Sequence, residues 1–197
     1  MRPLKLIFVA LILLIGFTES YCRAEVESTI GKFSFAGPTL TEPEIISQFG
    51  QGFVKRENEN TEKVQKHIYY LSEENLWIEL SFSHVLDEKM RRSLDTIMLT
   101  KEKICDKKFK PKETFGSLIT SKGIKIGDSL TNVIQKYGTP SVSSEIGKDG
   151  YFSVLQEELK LTDGKVLRYL GGDDDLLSSE FYFKDGQLHS ILISISE

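Results

Sequence analysis

Cysteine is scarce in this chain: Cys22 and Cys105 are the two among 197 residues. If residues 1–24 are removed, Cys105 stands alone, and an exported chain with one cysteine has no internal disulfide to staple it. Stability must then come from a packed core, which the rest of the chain is long enough to build as one domain or two small intimate ones. Cys105 has no histidine near it in sequence, so a half-buried packing role is the expectation. Histidine is equally sparse. His67, His84 and His189 are scattered, and none belongs to a His-Glu-x-x-His motif or a Cys/His pair at ligand spacing. A Gly-x-Ser-x-Gly nucleophile elbow and a phosphate-cradling glycine loop are both missing, and Gly50-Gln51-Gly52 follows a helix pattern instead of opening one. With no catalytic set, no metal site and no cofactor to name, the expectation is a protein that is not an enzyme.

A bilayer-spanning run is lacking too. The apolar stretch at residues 6–17 is about a dozen long, against roughly 20 for a transmembrane helix. Arg2 and Lys5 precede it, and Cys22-Arg23-Ala24 follows a short polar stretch. That order of parts is a secretory signal peptide cleaved after Ala24, giving a periplasmic or secreted protein with no transmembrane span after cleavage. Lipidation at Cys22 is disfavoured, because Glu19, Ser20 and Tyr21 stand where a lipobox wants an aliphatic residue and small ones.

The mature part carries 22 basic against 28 acidic side chains, a net charge of −6. That balance gives no support for nucleic acid or anionic lipid as a partner. The lysine-rich stretch at residues 101–112 reads as a solvated linker or strand edge. Asp173-Asp174-Asp175 is dense in carboxylates, but a calcium loop spaces its ligands at alternate positions around a sharp turn. With Glu73-Glu74-Asn75 at the matching place in the first half, a solvated hairpin loop is the reading.

What the chain does have is internal similarity. Ile45-Ile46, Phe49 and Gly50 superpose on Val133-Ile134, Tyr137 and Gly138. Each set reads as a short helix, the first opened by a Thr41/Glu44 capping box and the second by Asp128 or Ser129, and each closed by a glycine. Further on, Tyr70-Leu71 matches Tyr169-Leu170. Each half then ends on an aliphatic strand, Ile97-Met98-Leu99 and Ile191-Leu192-Ile193. Leu76, Ile78, Leu80 and Phe82 alternate with Trp77, Glu79, Ser81 and Ser83, the period of a half-buried strand. Asp163-Gly164 and Asp185-Gly186 are hairpin signals between such runs. The fold class expected is α+β: two tandem units, each a short helix packed on an antiparallel meander sheet of about four strands. The division is 1–24 signal peptide, 25–104 first unit, 105–122 linker and connecting strand, and 123–197 second unit.

Gly123-Ile124-Lys125-Ile126-Gly127-Asp128-Ser129, with Val133, Tyr137-Gly138 and Pro140 after it, resembles a pattern of the BamE-like and beta-lactamase-inhibitor-protein-like group of bacterial envelope proteins. Phe181-Tyr182-Phe183-Lys184-Asp185-Gly186-Gln187-Leu188 is similar to the strand, turn and strand that close such a unit. The resemblance covers residues 115–197 better than 29–100. It implies short helices on an antiparallel sheet and, in the tandem inhibitor form, a concave sheet surface that grips a protein partner. It brings no functional residue with it, because that group has no shared catalytic set, and the missing lipobox departs from the BamE-like pattern.

Trp77 alternates against Leu76, Ile78 and Leu80, so it should face away from the helix, with Tyr69 and Tyr182 joining it on their own strands as interface anchors. Burial of these rings between packed sheets is the competing reading. Two functions remain: a module that binds another protein, or an envelope enzyme or small-ligand carrier whose site is assembled from dispersed residues.

Overall fold

The computed structural model describes residues 29–31, 33–34, 40–59, 62–84, 92–112, 115–148, 153–171 and 177–195. The signal segment, Cys22 and the Asp173-Asp174-Asp175 cluster lie outside these residues. Helix α1 spans Glu42–Phe49, α2 spans Leu130–Tyr137 and α3 spans Val154–Leu159. The Glu44 carboxylate accepts from both the amide and the hydroxyl of Thr41, at 2.7 and 2.8 Å, which satisfies donors that a helix start leaves open. Ser129 caps α2 by accepting from the Asn132 amide at 3.2 Å. Gly50 and Gly138 stop the first two helices at φ of 89° and 80°, where any side chain would be strained. A buried tyrosine then seals each end. Tyr69 donates to the Gly50 carbonyl at 3.0 Å and Tyr169 to the Gly138 carbonyl at 3.2 Å. Tyr69, and not Tyr70, is therefore the counterpart of Tyr169, one residue off the match expected from sequence.

The strands are β1 (Thr29–Ile30), β2 (Phe33–Ser34), β3 (Phe53–Glu59), β4 (Glu62–Leu71), β5 (Leu76–His84), β6 (Arg92–Thr100), β7 (Val142–Glu145), β8 (Lys165–Gly171), β9 (Leu177–Lys184) and β10 (Gln187–Ile195). β1 and β2 form a small ribbon, and the other eight form one antiparallel sheet in the order β3-β4-β5-β6-β10-β9-β8-β7. This overturns the expectation of two tandem units, each with its own sheet and helix. The sheet is continuous, it dominates the described residues, and three short helices accompany it there. The reason lies in the aliphatic strands that close each half. Ile97, Met98 and Leu99 are buried on both sides, as are Ile191, Leu192 and Ile193. A strand apolar on both faces belongs in a sheet's interior, since at an edge it would expose both its side chains and its unpaired amides. Pairing β6 with β10, Ile97 opposite Ile193 and Leu99 opposite Ile191, removes both edges at once.

Asp185-Gly186 makes the two-residue turn from β9 to β10, with φ of 51° and 75°, as a hairpin of that length requires. Asp163-Gly164 is not a strand-to-strand hairpin. Helix α3, unforeseen in the sequence, intervenes between β7 and β8, and this pair turns the chain from α3 into β8. On one face of the sheet, Ile78, Leu80, Ile97, Leu99, Phe181 and Ile191 form the main core with α1, α2 and the β1–β2 ribbon. Two aromatic clusters anchor it, Phe33–Phe49–Phe115–Tyr69 beside α1 and Tyr137–Tyr169–Phe181 beside α2. The opposite face is covered in part. Leu155 of α3 packs on Met98, Tyr182 and Leu192, and the irregular segment 101–112 lays Ile104 and Cys105 over Ile68, Tyr70 and Trp77.

Candidate functional site

Between α3 and the 101–112 segment, the second face of the sheet over β4, β5 and β6 is hollowed above a buried floor. Strand alternation puts Lys66 and Ile68 of β4, Glu79 and Ser81 of β5, and Met98 of β6 on this floor. The walls are Val154 and Glu158 of α3 on one side and Lys103, Ile104 and Cys105 on the other. The result is a trough along the strands with two adjoining hollows, about 380 and 640 Å³, that share lining residues. Both are lined by Lys66, Glu79 and Glu158.

Those three residues are the trough's electrostatic centre. Lys66 is 5% exposed, yet its ammonium lies 2.8 Å from a Glu158 oxygen and 3.6 Å from one of Glu79. Ser81 donates to the same Glu79 oxygen at 3.4 Å. A buried ammonium without such partners would bear a heavy desolvation cost, so the cluster must stay compensated. The Lys66–Glu158 bridge joins positions 92 apart in sequence and crosses the trough where the two hollows meet. Around the larger hollow, Lys55, Lys103, Lys107 and Lys160 bring positive charge, offset in part by Asp106, which pairs with Lys103 at 2.7 Å, and Asp95 brings negative charge to the smaller one. Phe53 and Val154, exposed by 36% and 41%, rim opposite ends.

Helix α3 is fixed from beneath. Glu180 of β9 is fully buried, and its carboxylate accepts from Ser153 Oγ at 2.8 Å, the Leu155 amide at 3.0 Å and the Val154 amide at 3.4 Å. Arg168 Nε lies 3.7 Å from it. An anion at a helix start meets unpaired amides, so Glu180 ties the trough wall to the sheet.

The three aromatics expected to anchor an interface are not brought together at a surface. Trp77 is 4% exposed beneath Ile104, its ring tilted against Tyr70 with centroids 4.9 Å apart. Tyr182 lies on the same face under α3, 1% exposed, donating to the Asp163 carbonyl at 3.2 Å; burial foremost, then nearby Asp163, Glu102 and Asp185, push its hydroxyl up to about 12. Tyr69 occupies the opposite face, fully buried, its hydroxyl raised by desolvation. His67 lies in the main core with its ring against Phe82. His189 stands at the β10 bulge, its Nδ1 3.7 Å from Glu102 and its ring 6.2 Å from Tyr182. Among the described residues no group of His, Cys, Asp and Glu is placed to hold a metal ion, and no helix is long and apolar enough to cross a membrane.

Lys66, Glu79 and Glu158 escaped the sequence reading because alternation assigned Glu79 to a solvated face and gave Lys66 no partner. The face is in fact covered, with Glu79, Ser81 and Ser83 all below 9% exposure. No protein-family model matches the chain, and neither a curated protein nor a solved structure is significantly similar to it.

Proposed function

We propose that this chain is an exported, non-enzymatic binding module that holds a segment of another protein in the trough between α3 and the 101–112 segment. The observation that carries this reading is the trough itself: hollows above a floor with a buried ion cluster, walls from two halves of the chain, and exposed apolar residues at both rims. From Ile68 to Val64 the floor follows β4 for about 13 Å at the rise of a strand, room for some five residues of extended polypeptide. Opposite charge at the two ends, a surplus of lysine over Asp106 at one and Asp95 at the level of Ser81 and Phe82 at the other, would fix the direction in which a segment lies. The resemblance to the BamE-like and inhibitor-like group supports a protein partner, and the signal peptide supports the periplasm or the exterior as the place of encounter.

Photo-crosslinking residues placed at Phe53, Val154 and Ile134 in intact cells test this. Ile134 is exposed to a similar degree, but it lies on α2 against the other face. Polypeptide adducts should form from Phe53 and Val154 and not from Ile134. A small molecule retained on the purified protein, with no adduct from either rim position, would sink the reading.

A further inference from the structure

We infer that the occupant of the trough anchors through a carboxylate, which takes the place of Glu158 on the Lys66 ammonium. The inference rests on the trough as the binding surface and names the chemistry of what enters it. Lys66 is the cation on the floor common to both hollows. Glu79 and Glu158, both in contact with it, are held very differently. Glu79 rises from the sheet itself, its side chain 8% exposed, and Ser81 braces it. Glu158 reaches in from a six-residue helix, its side chain is 35% exposed, and it makes the shorter contact. Glu158 is thus the exchangeable partner, and Glu79 the permanent one.

An exchange costs Lys66 nothing in compensation, because one carboxylate replaces another at the same atom. Simple loss of Glu158 would take the nearest carboxylate from a nearly buried ammonium, which is unfavourable. A neutral occupant could therefore not open the bridge cheaply, whereas an acidic one could. Departure of Glu158 also removes the partition, letting the two hollows run together under α3. The arrangement is that of an internal stand-in: the chain's own carboxylate occupies the anchor until a partner's aspartate, glutamate or terminal carboxylate displaces it. The side chain on a nearby helix competes at high effective concentration, so the occupant must add contacts along the floor and rims.

Chemical rescue tests the anchor without knowledge of the partner. Glu158→Ala vacates the position, and propionate should then stabilise the protein against urea, at matched ionic strength, more than chloride does. At four times its dissociation constant the probe should shift the unfolding equilibrium about fivefold. The gain should be absent from Glu158→Ala combined with Lys66→Met, and small in the unaltered protein, where Glu158 competes. Equal propionate and chloride effects in Glu158→Ala, or the same gain in the double variant, overturn the inference. Should the double variant fail to fold, Glu158→Ala with Lys66→Arg keeps the test alive, since a guanidinium must retain propionate selectivity if the cation is the anchor. In cells, Glu158→Gln should raise the adduct yield at Phe53 several-fold, and an unchanged or lower yield contradicts displacement. Rescue bears on the anchor and crosslinking at the unaltered rims bears on the protein partner, so the two ideas can fail separately.

Discussion

Replacing Glu180 by glutamine keeps the side chain's shape and removes its charge, and this isolates what holds α3 on the sheet. One carboxylate oxygen takes Ser153 Oγ and the Leu155 amide, at 2.8 and 3.0 Å, and the other faces the Val154 amide at 3.4 Å and Arg168 Nε at 3.7 Å. Glutamine can offer one oxygen to the first pair, but its NH2 must then point at the second pair, donor against donor. Hydrogen bonds to a charged group contribute about 1.5–3 kcal/mol each against about 1 kcal/mol for neutral ones. Downgrading two bonds and opposing two donors should cost about 2–3 kcal/mol. Glu180 is fully buried, so solvent screening does not dilute this. For a domain of this size the loss lowers Tm by about 4–12 °C. The effect should also be local: amide exchange at residues 154–161 should accelerate before that of β9 and β10. A Tm drop under about 2 °C, with exchange at 154–161 unchanged, would refute the claim that Glu180 fixes the trough wall.

Thr100 and Ser190 share a buried hydroxyl contact of 2.6 Å across the β6–β10 seam, and Thr100 also accepts from the Glu102 amide. Thr100→Val should cost about 1–3 kcal/mol in urea unfolding, and adding Ser190→Ala should recover part of it; strict additivity would argue against the shared bond. Tyr169→Phe removes the seal on α2 and should cost about 1 kcal/mol at neutral pH. Burial holds the Tyr169 hydroxyl at about 12 against 10 in an ordinary setting, so the native state keeps a proton the unfolded chain has lost. That stabilising contribution is complete below pH 10 and fades as pH climbs from 10 toward 12; the alkaline decline in Tm should be shallower in the phenylalanine variant. Gly164 stands at φ 105° with Tyr182 Cε2 2.5 Å from where a Cβ would sit, so Gly164→Ala should destabilise by about 2 kcal/mol or more, read by thermal melting. Because one sheet joins both halves, calorimetric and van't Hoff enthalpies should agree, and two resolved transitions would contradict that coupling.

Much of the local architecture was legible. Thr41 with Glu44, Ser129, Gly50, Gly138 and Asp185-Gly186 are short-range signals whose meaning depends on neighbours within four residues, and each acts as read. The division into two units was not, although its correction was already written in Ile97-Met98-Leu99 and Ile191-Leu192-Ile193: an unbroken apolar run marks a strand buried on both sides, and here each run supplied the other's missing neighbour. Tyr69 was passed over for Tyr70 because two adjacent tyrosines point to opposite faces and only the helix carbonyl distinguishes them. Helix α3 left a faint trace, Ser153 with Gln156 three residues on, in a segment too short to show a helical period. The Lys66 cluster was beyond reach for a different reason. Its members come from three elements, and nothing local to Lys66 announces a carboxylate 92 positions away.

The placement of β10 at the middle of the sheet has a consequence in time. β10 comes after every other described strand in sequence, yet it is the one that covers β6, and the Thr100–Ser190 contact closes a loop of 90 residues. Until residues 187–195 exist, the first four-strand meander must carry Ile97-Met98-Leu99 as a naked, sticky border, open to pairing with a neighbour's copy. Closing so large a loop is also slow compared with forming the hairpins on either side. The native sheet can therefore close only once residues 187–195 have been made, and an N-terminal fragment ending near residue 104 should aggregate where the full chain does not.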